Sequence, residues 1–234
     1  MDFRDRTVVV TGAAGQLGRA VTSAFDAAGA NLVLVERHRG PLVDAFGAET
    51  PRRQLVAADL LDRDDVDRAI ATAAGRFGRI DALCNIVGGF RMGEAVHELS
   101  DETLDFVFDI NVRSLVHAAH AVVPHMLDGR GGRIVNVAAF AANRGAARMG
   151  AYSAAKSAVI RLTEAMEAEL HDRGVHVNCV LPTIIDTPDN RKAMPDADTS
   201  AWVAPQDLAN VILFLASEDA RAIRGAAIPV GELR

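Results

Sequence analysis

Seven short apolar runs punctuate the chain, at 7–11, 31–36, 54–58, 80–86, 133–138, 175–181 and 227–230. Val, Ile and Leu fill consecutive rather than alternate positions in them, as in TVVVT, NLVLVE and RIVNVA. Strands that are apolar on both faces belong in a parallel sheet covered on each side. Between the runs lie Ala-rich stretches with helical periodicity, at 17–28, 64–77, 100–126, 150–173 and 205–217. This alternation predicts an α/β protein, a doubly wound parallel sheet between two helical layers. Ligands of such sheets bind beyond the carboxyl ends of the strands, so the residues that follow each strand are the ones to inspect.

Composition narrows the function. The net charge of −6, with 5% aromatic residues including one Trp and one Tyr, provides neither a basic nor a stacking surface for nucleic acid. Cys84 and Cys179 lie in apolar runs and read as buried small hydrophobes. His117, His120 and His125 have no carboxylate at zinc-site spacing, so no metal is expected. The opening MDFRDR runs directly into the first strand without a signal sequence. No apolar segment approaches the roughly 20 residues of a membrane span. These features predict a cytoplasmic protein with a small-molecule substrate and no membrane or nucleic-acid partner.

The first strand ends in Thr11-Gly12-Ala13-Ala14-Gly15-Gln16-Leu17-Gly18 and a helix follows. Gly12, Gly15 and Gly18 permit a tight turn and close approach of a pyrophosphate, and the backbone of Gln16 and Leu17 opens the helix toward it. The second strand ends at Glu36-Arg37. A carboxylate there accepts hydrogen bonds from the adenosine ribose and repels a 2′-phosphate, which favours NAD(H). The neighbouring Arg37 guanidinium leaves NADP(H) open. Tyr152 and Lys156 stand four apart at the start of a helical stretch and share one face. An ammonium beside a phenol is expected to lower its pKa from about 10 toward neutrality.

With these motifs on one chain, the sequence resembles the short-chain dehydrogenases/reductases along nearly its whole length. The resemblance implies a single-domain, Rossmann-like fold over 1–234. It also implies a nicotinamide-dependent oxidoreductase with Tyr152, Lys156 and Asn111 as catalytic residues. It places Asp59-Leu60 against adenine. It aligns Asn85 and Gly88 with the family's Asn-Asn-Ala-Gly segment, and Pro182, Ile185 and Thr187 with the nicotinamide side. The segment 183–204 is expected to form a lid over the substrate.

Two departures stand out. The second glycine of the turn is Gly15, one residue earlier than is usual in short members. The serine expected 13 residues before the tyrosine is Ala139. Both departures resemble the dihydropteridine reductase branch, as do Gly88-Gly89-Phe90 and the segment from Asp186-Thr187-Pro188 to Trp202. That resemblance implies hydride transfer to a conjugated cyclic imine or carbonyl, with Tyr152 as proton donor and Ala139, Gly89, Phe90 and Asn190 against the substrate. The alternatives are an alcohol dehydrogenase, ketone or 3-oxoacyl reductase with Thr183, Asn143 or a water in the serine's role, and a non-catalytic dinucleotide sensor. By family analogy a homodimer or homotetramer forms through the helical stretches near 100–126 and 150–173.

Overall fold

A computed structural model describes residues 1–231, so residues 232–234 of the expected domain lie outside the described residues. In chain order the elements are β1 (Thr7–Thr11), α1 (Gln16–Ala27), β2 (Asn31–Glu36), α2 (Arg39–Phe46), β3 (Arg53–Ala57), α3 (Arg63–Phe77), β4 (Ala82–Asn85) and α4 (Asp101–Phe108). There follow α5 (Ser114–Asp128), β5 (Gly132–Val137), α6 (Gly150–Leu170), β6 (Val175–Pro182), α7 (Pro188–Ala193), α8 (Pro205–Leu215) and β7 (Ala227–Val230). The seven strands form one sheet in the order β3-β2-β1-β4-β5-β6-β7, and every pairing is parallel. This is the expected doubly wound architecture.

Strand alternation feeds two cores. Val8, Val10, Leu32, Leu34, Val135 and Val137 pack with Leu17, Val21 and Phe25 of α1, Leu42 of α2, and Leu208 and Ile212 of α8. Their strand neighbours Val9, Val33, Val35 and Ile134 turn the other way, onto Val66 and Ile70 of α3 and Ala118 and Val122 of α5. The period of two explains why these strands are apolar throughout. The register sets Thr11 beside Val35 and Asn85, and Asn85 beside Asn136, so one edge of the sheet ends level. The strand order reverses between β1 and β4, which opens the crevice where dinucleotides bind in such sheets.

The elements differ from expectation at α2 and along 100–126. Helix α2 was not foreseen; it contains Gly40 and Pro41, which disfavour a helix interior. Both fall in its first turn, where a missing N–H is tolerated, and only Leu42 is buried. The single helix expected at 100–126 is instead α4 and α5 joined by a π-turn, Asp109–Arg113. Asn111 explains the widening, since its side-chain amide donates to Val107 O at 2.8 Å and takes the carbonyl a regular turn would use. The joined run Asp101–Asp128 also corrects the expectation about membrane spans. It is 28 residues long and contains an 18-residue window with the mean hydropathy (1.2) of a spanning helix, yet Val107, Leu115, Val122 and Met126 are buried within the protein.

Candidate active site

Thr11 Oγ1 accepts hydrogen bonds from Ile86 N (3.1 Å) and Val87 N (3.4 Å), holding the ends of β1 and β4 together. The glycine turn begins at this junction. Gly12 has φ +66°, a conformation that favours glycine. A Cβ on Gly18 would strike Gly12 O and lie 2.7 Å from Ala13 Cα, so Gly18 lets helix and turn touch. Gly15 is different: its φ is −68°, and a Cβ there would meet only Gly12 O at 3.4 Å. Nothing among the described residues demands glycine at 15, and its bare Cα leaves the turn open to an approaching pyrophosphate. Helix α1 opens with no side-chain cap and no acidic residue in its first turn, which leaves its N-terminal N–H groups to an anion. These features fit a dinucleotide. Leu17 is buried in the core, so only its backbone faces the turn.

At the end of β2, Glu36 Oε1 accepts the Ala14 N–H at 3.0 Å, which draws the carboxylate to the rim of the turn. Arg37 pairs with Asp59 Oδ2 at 3.0 Å. Asp59 also accepts the Leu61 N–H, and Leu60 O is bonded to His117 Nδ1 at 2.9 Å. The Arg37–Asp59 pair and the role of His117 were not anticipated, because their spacing carries no local pattern.

Gly88, Asn111 and Lys156 converge. A Cβ on Gly88 would lie 2.9 Å from Asn111 Oδ1 and 3.0 Å from Lys156 Nζ. The Asn111 amide and the Gly89 backbone exchange two hydrogen bonds, 2.9 and 3.2 Å. Lys156 Nζ donates to Val137 O at 2.9 Å, two residues before Ala139. Ala139 is 7% exposed and extended, and it opens the short turn Phe140–Asn143. A methyl group thus stands at the position where the family's serine hydroxyl is expected. Phe90, 55% exposed, stands edge-on to Tyr152 with ring centroids 4.8 Å apart.

The electrostatics correct one expectation. Burial pushes the Tyr152 phenol up to about 12, and burial brings the Lys156 ammonium down to about 8. The penalty for burying a phenolate outweighs any help from the lysine, so the phenol is protonated at neutral pH.

Three predicted residues face elsewhere. Asn85 is 4% exposed and donates to Asn136 Oδ1 at 2.8 Å, bridging β4 and β5 inside the sheet. Asn190 donates to Ile185 O at 2.8 Å, so its amide braces its own segment rather than facing a substrate. Thr183 Oγ1 lies against Gly231, where a Cβ would strike it. Pro182 ends β6, Ile185 pairs with Val203 in an isolated parallel bridge, and Thr187 caps α7 by accepting Asn190 N. The segment from Thr183 to Val203 is therefore a loop closed at its base. Arg148, at φ +63°, accepts the Gly93 N–H at its carbonyl and donates from its guanidinium to Gly93 O, clamping the Phe90 loop to the turn before α6. A non-glycine residue in that conformation gave no sequence signal.

Comparison with known proteins agrees with this geometry. The family model described as short chain dehydrogenase matches residues 6–198. A (2S)-[(R)-hydroxy(phenyl)methyl]succinyl-CoA dehydrogenase subunit of Thauera aromatica is 33% identical over 242 residues, spanning 98% of this chain and 96% of that protein. D-threitol dehydrogenase of Mycolicibacterium smegmatis is 35% identical over 245 residues, 96% and 92% of the two chains. Among solved structures, 3-ketoacyl-(acyl-carrier-protein) reductase from Brucella melitensis complexed with NADH superposes with a TM-score of 0.88 at 27% identity, covering 97% of each chain.

Proposed function

Since the chain belongs to the short-chain dehydrogenase family and is a nicotinamide-dependent oxidoreductase, we propose that it reduces a small conjugated cyclic imine or carbonyl, with Tyr152 as the proton donor. The observation that carries this reading is Ala139, a methyl group where a hydroxyl would polarise a simple ketone. A substrate that is already electron-poor, such as a quinonoid dihydropterin, has less need of that donor.

When bound, the reduced nicotinamide supplies the hydride. Tyr152 Oη gives its proton to the nitrogen or oxygen that becomes electron-rich as the double bond is reduced. In this reading Lys156 Nζ holds the nicotinamide ribose, and its bond to Val137 O supports that role by fixing the ammonium. Asn111 fixes Gly89, and with it the loop that carries Phe90 over the tyrosine. Gly12, Gly15 and Gly18 with the start of α1 receive the pyrophosphate. Glu36 at the rim of the turn supports a preference for NAD(H), and the engagement of Arg37 by Asp59 opposes capture of a 2′-phosphate. In this reading 1–234 is one domain, the 183–204 loop is its lid, and protomers pair through α4, α5 and α6, where Leu104, Phe106 and Val116 are exposed.

The experiment is NADH oxidation with quinonoid dihydropterin, run beside NADPH. A rate above the uncatalysed background, with NADH preferred, supports the reading. A background rate rejects the substrate class, and a preference for NADPH rejects the cofactor assignment. A second reading, an alcohol dehydrogenase or ketone reductase, is favoured by the relatives, which are named for alcohol substrates. Turnover of simple secondary alcohols or ketones, with none of the dihydropterin, would select it.

A further inference from the structure

The opposite end of the sheet holds a second concentration of charge. A cavity of about 270 Å³ opens at the amino ends of β1, β4 and β5. Five arginines line it, Arg4, Arg6, Arg79, Arg130 and Arg133, against three carboxylates, in a chain whose net charge is −6. It is unrelated to the nicotinamide crevice. From Arg133 to Ala139 the chain runs six residues along and just past β5, about 20 Å at strand rise.

The walls are rigid. Phe3 is buried edge-on against Phe25, which anchors the turn carrying Arg4 and Arg6, and Asp5 in that turn has φ +61°. Arg79 is held by both oxygens of Asp81, whose carboxylate also accepts Thr7 N. Arg133 is the second residue of β5, and its side chain is only 9% exposed. Its Nη1 donates to Gly132 O, its Nη2 to Glu218, and its Nε is buried without a partner. Burial holds this guanidinium below its usual pKa. Arg130, on the exposed turn after α5, lines the cavity and enters no ion pair among the described residues.

Glu218 is the informative group. Its two oxygens accept from Arg6 Nη1 and Arg133 Nη2, each at 3.1 Å, while its side chain is 58% exposed on a short turn. One carboxylate thus bridges two guanidinium groups at the mouth of the cavity, from a side chain that is itself more than half exposed. We propose that this cavity is a binding site for phosphate or a small phosphate monoester, in which the oxyanion displaces Glu218 and is gripped by Arg6, Arg133 and Arg130. Guanidinium forks arriving from three separate elements suit an oxyanion with several acceptor atoms, and the volume leaves room for a small organic group behind it.

Isothermal titration of the NADH-saturated protein tests this, using inorganic phosphate in one arm and glycerol 3-phosphate in the other. Saturating NADH keeps the anion from the glycine turn. One saturable site per chain is expected, and the arm with the tighter binding tells the free anion from the monoester. Glu218→Gln removes the resident competitor and should tighten binding by ~5-fold or more. Arg130→Ala, an exposed substitution remote from the catalytic residues, should weaken it by a similar factor. No saturable binding of either anion, or affinities unchanged in both variants, would overturn the proposal.

Discussion

Lys156 carries a stability cost that a single substitution should expose. It is 5% exposed, and burial brings its ammonium from 10.5 down to about 8. A difference of that size destabilises the fold by roughly 3 kcal/mol wherever the lysine is charged in both folded and unfolded chains. Below pH 8 both states hold the proton and the penalty is complete. Between about 8 and 10.5 the folded chain has released its proton while the unfolded chain has not, so stability rises with pH. Above 10.5 both are neutral and the penalty is gone. Lys156→Met keeps most of the volume and removes the charge, but deprives Val137 O of its donor, at a cost of about 1 kcal/mol. The variant should therefore be about 2 kcal/mol more stable than the parent at pH 7 and about 1 kcal/mol less stable once pH exceeds 10.5. Urea unfolding of both proteins across this range reads the difference directly, and the raised phenol pKa of Tyr152 cancels because both proteins retain it. A variant no more stable at pH 7, or a difference that does not change with pH, would refute the reasoning.

Other consequences are as direct. Ala139→Ser restores a hydroxyl in extended backbone beside the Tyr152 helix; on simple ketones kcat/KM should rise by ~30-fold to ~1,000-fold, corresponding to about 2–4 kcal/mol, with little change on a conjugated cyclic substrate. Equal gains on both would show that neither was self-activated. Gly15→Ala should fold normally yet bind NADH at least ~10-fold more weakly, whereas Gly18→Ala, whose Cβ meets the Gly12 and Ala13 backbone, should lose about 1–3 kcal/mol of stability. Thermal melts and NADH titration separate the two. Because the Tyr152 phenol is pushed up to about 12, the donor stays protonated through the neutral range. Reduction should show no loss from its ionisation below pH 10, while alcohol oxidation, which needs the phenolate, should rise with pH; a pH–rate profile in each direction checks this.

The parallel sheet was legible because its strands bury both faces, and Val8 to Val10 or Leu32 to Val35 leave no other reading. The glycine turn and the Tyr152–Lys156 spacing were legible because their chemistry is local. What escaped depends on contacts between distant residues. The π-turn exists because the Asn111 amide reaches Gly89, 22 residues away, and Val107. The engagement of Arg37 by Asp59 spans a crossover between strands, and so does the bond from Asn85 to Asn136. Spacing placed Lys156 beside Tyr152, but burial of both groups, which spacing does not report, sets the sign of the phenol's shift. Asn190 looked like a residue facing the substrate because it lies in the loop expected to be a lid; its hydrogen bond to Ile185 O became evident only once the base of that loop was seen to be closed.

The most direct test of the proposed chemistry is NADH oxidation with quinonoid dihydropterin, measured for the parent and for Tyr152→Phe under matched conditions. The parent should exceed the uncatalysed rate, and loss of the only phenol in the chain should slow it by about 10²–10⁴-fold while leaving NADH binding in place. A parent rate no greater than background, or a Phe variant as fast as the parent, would contradict it.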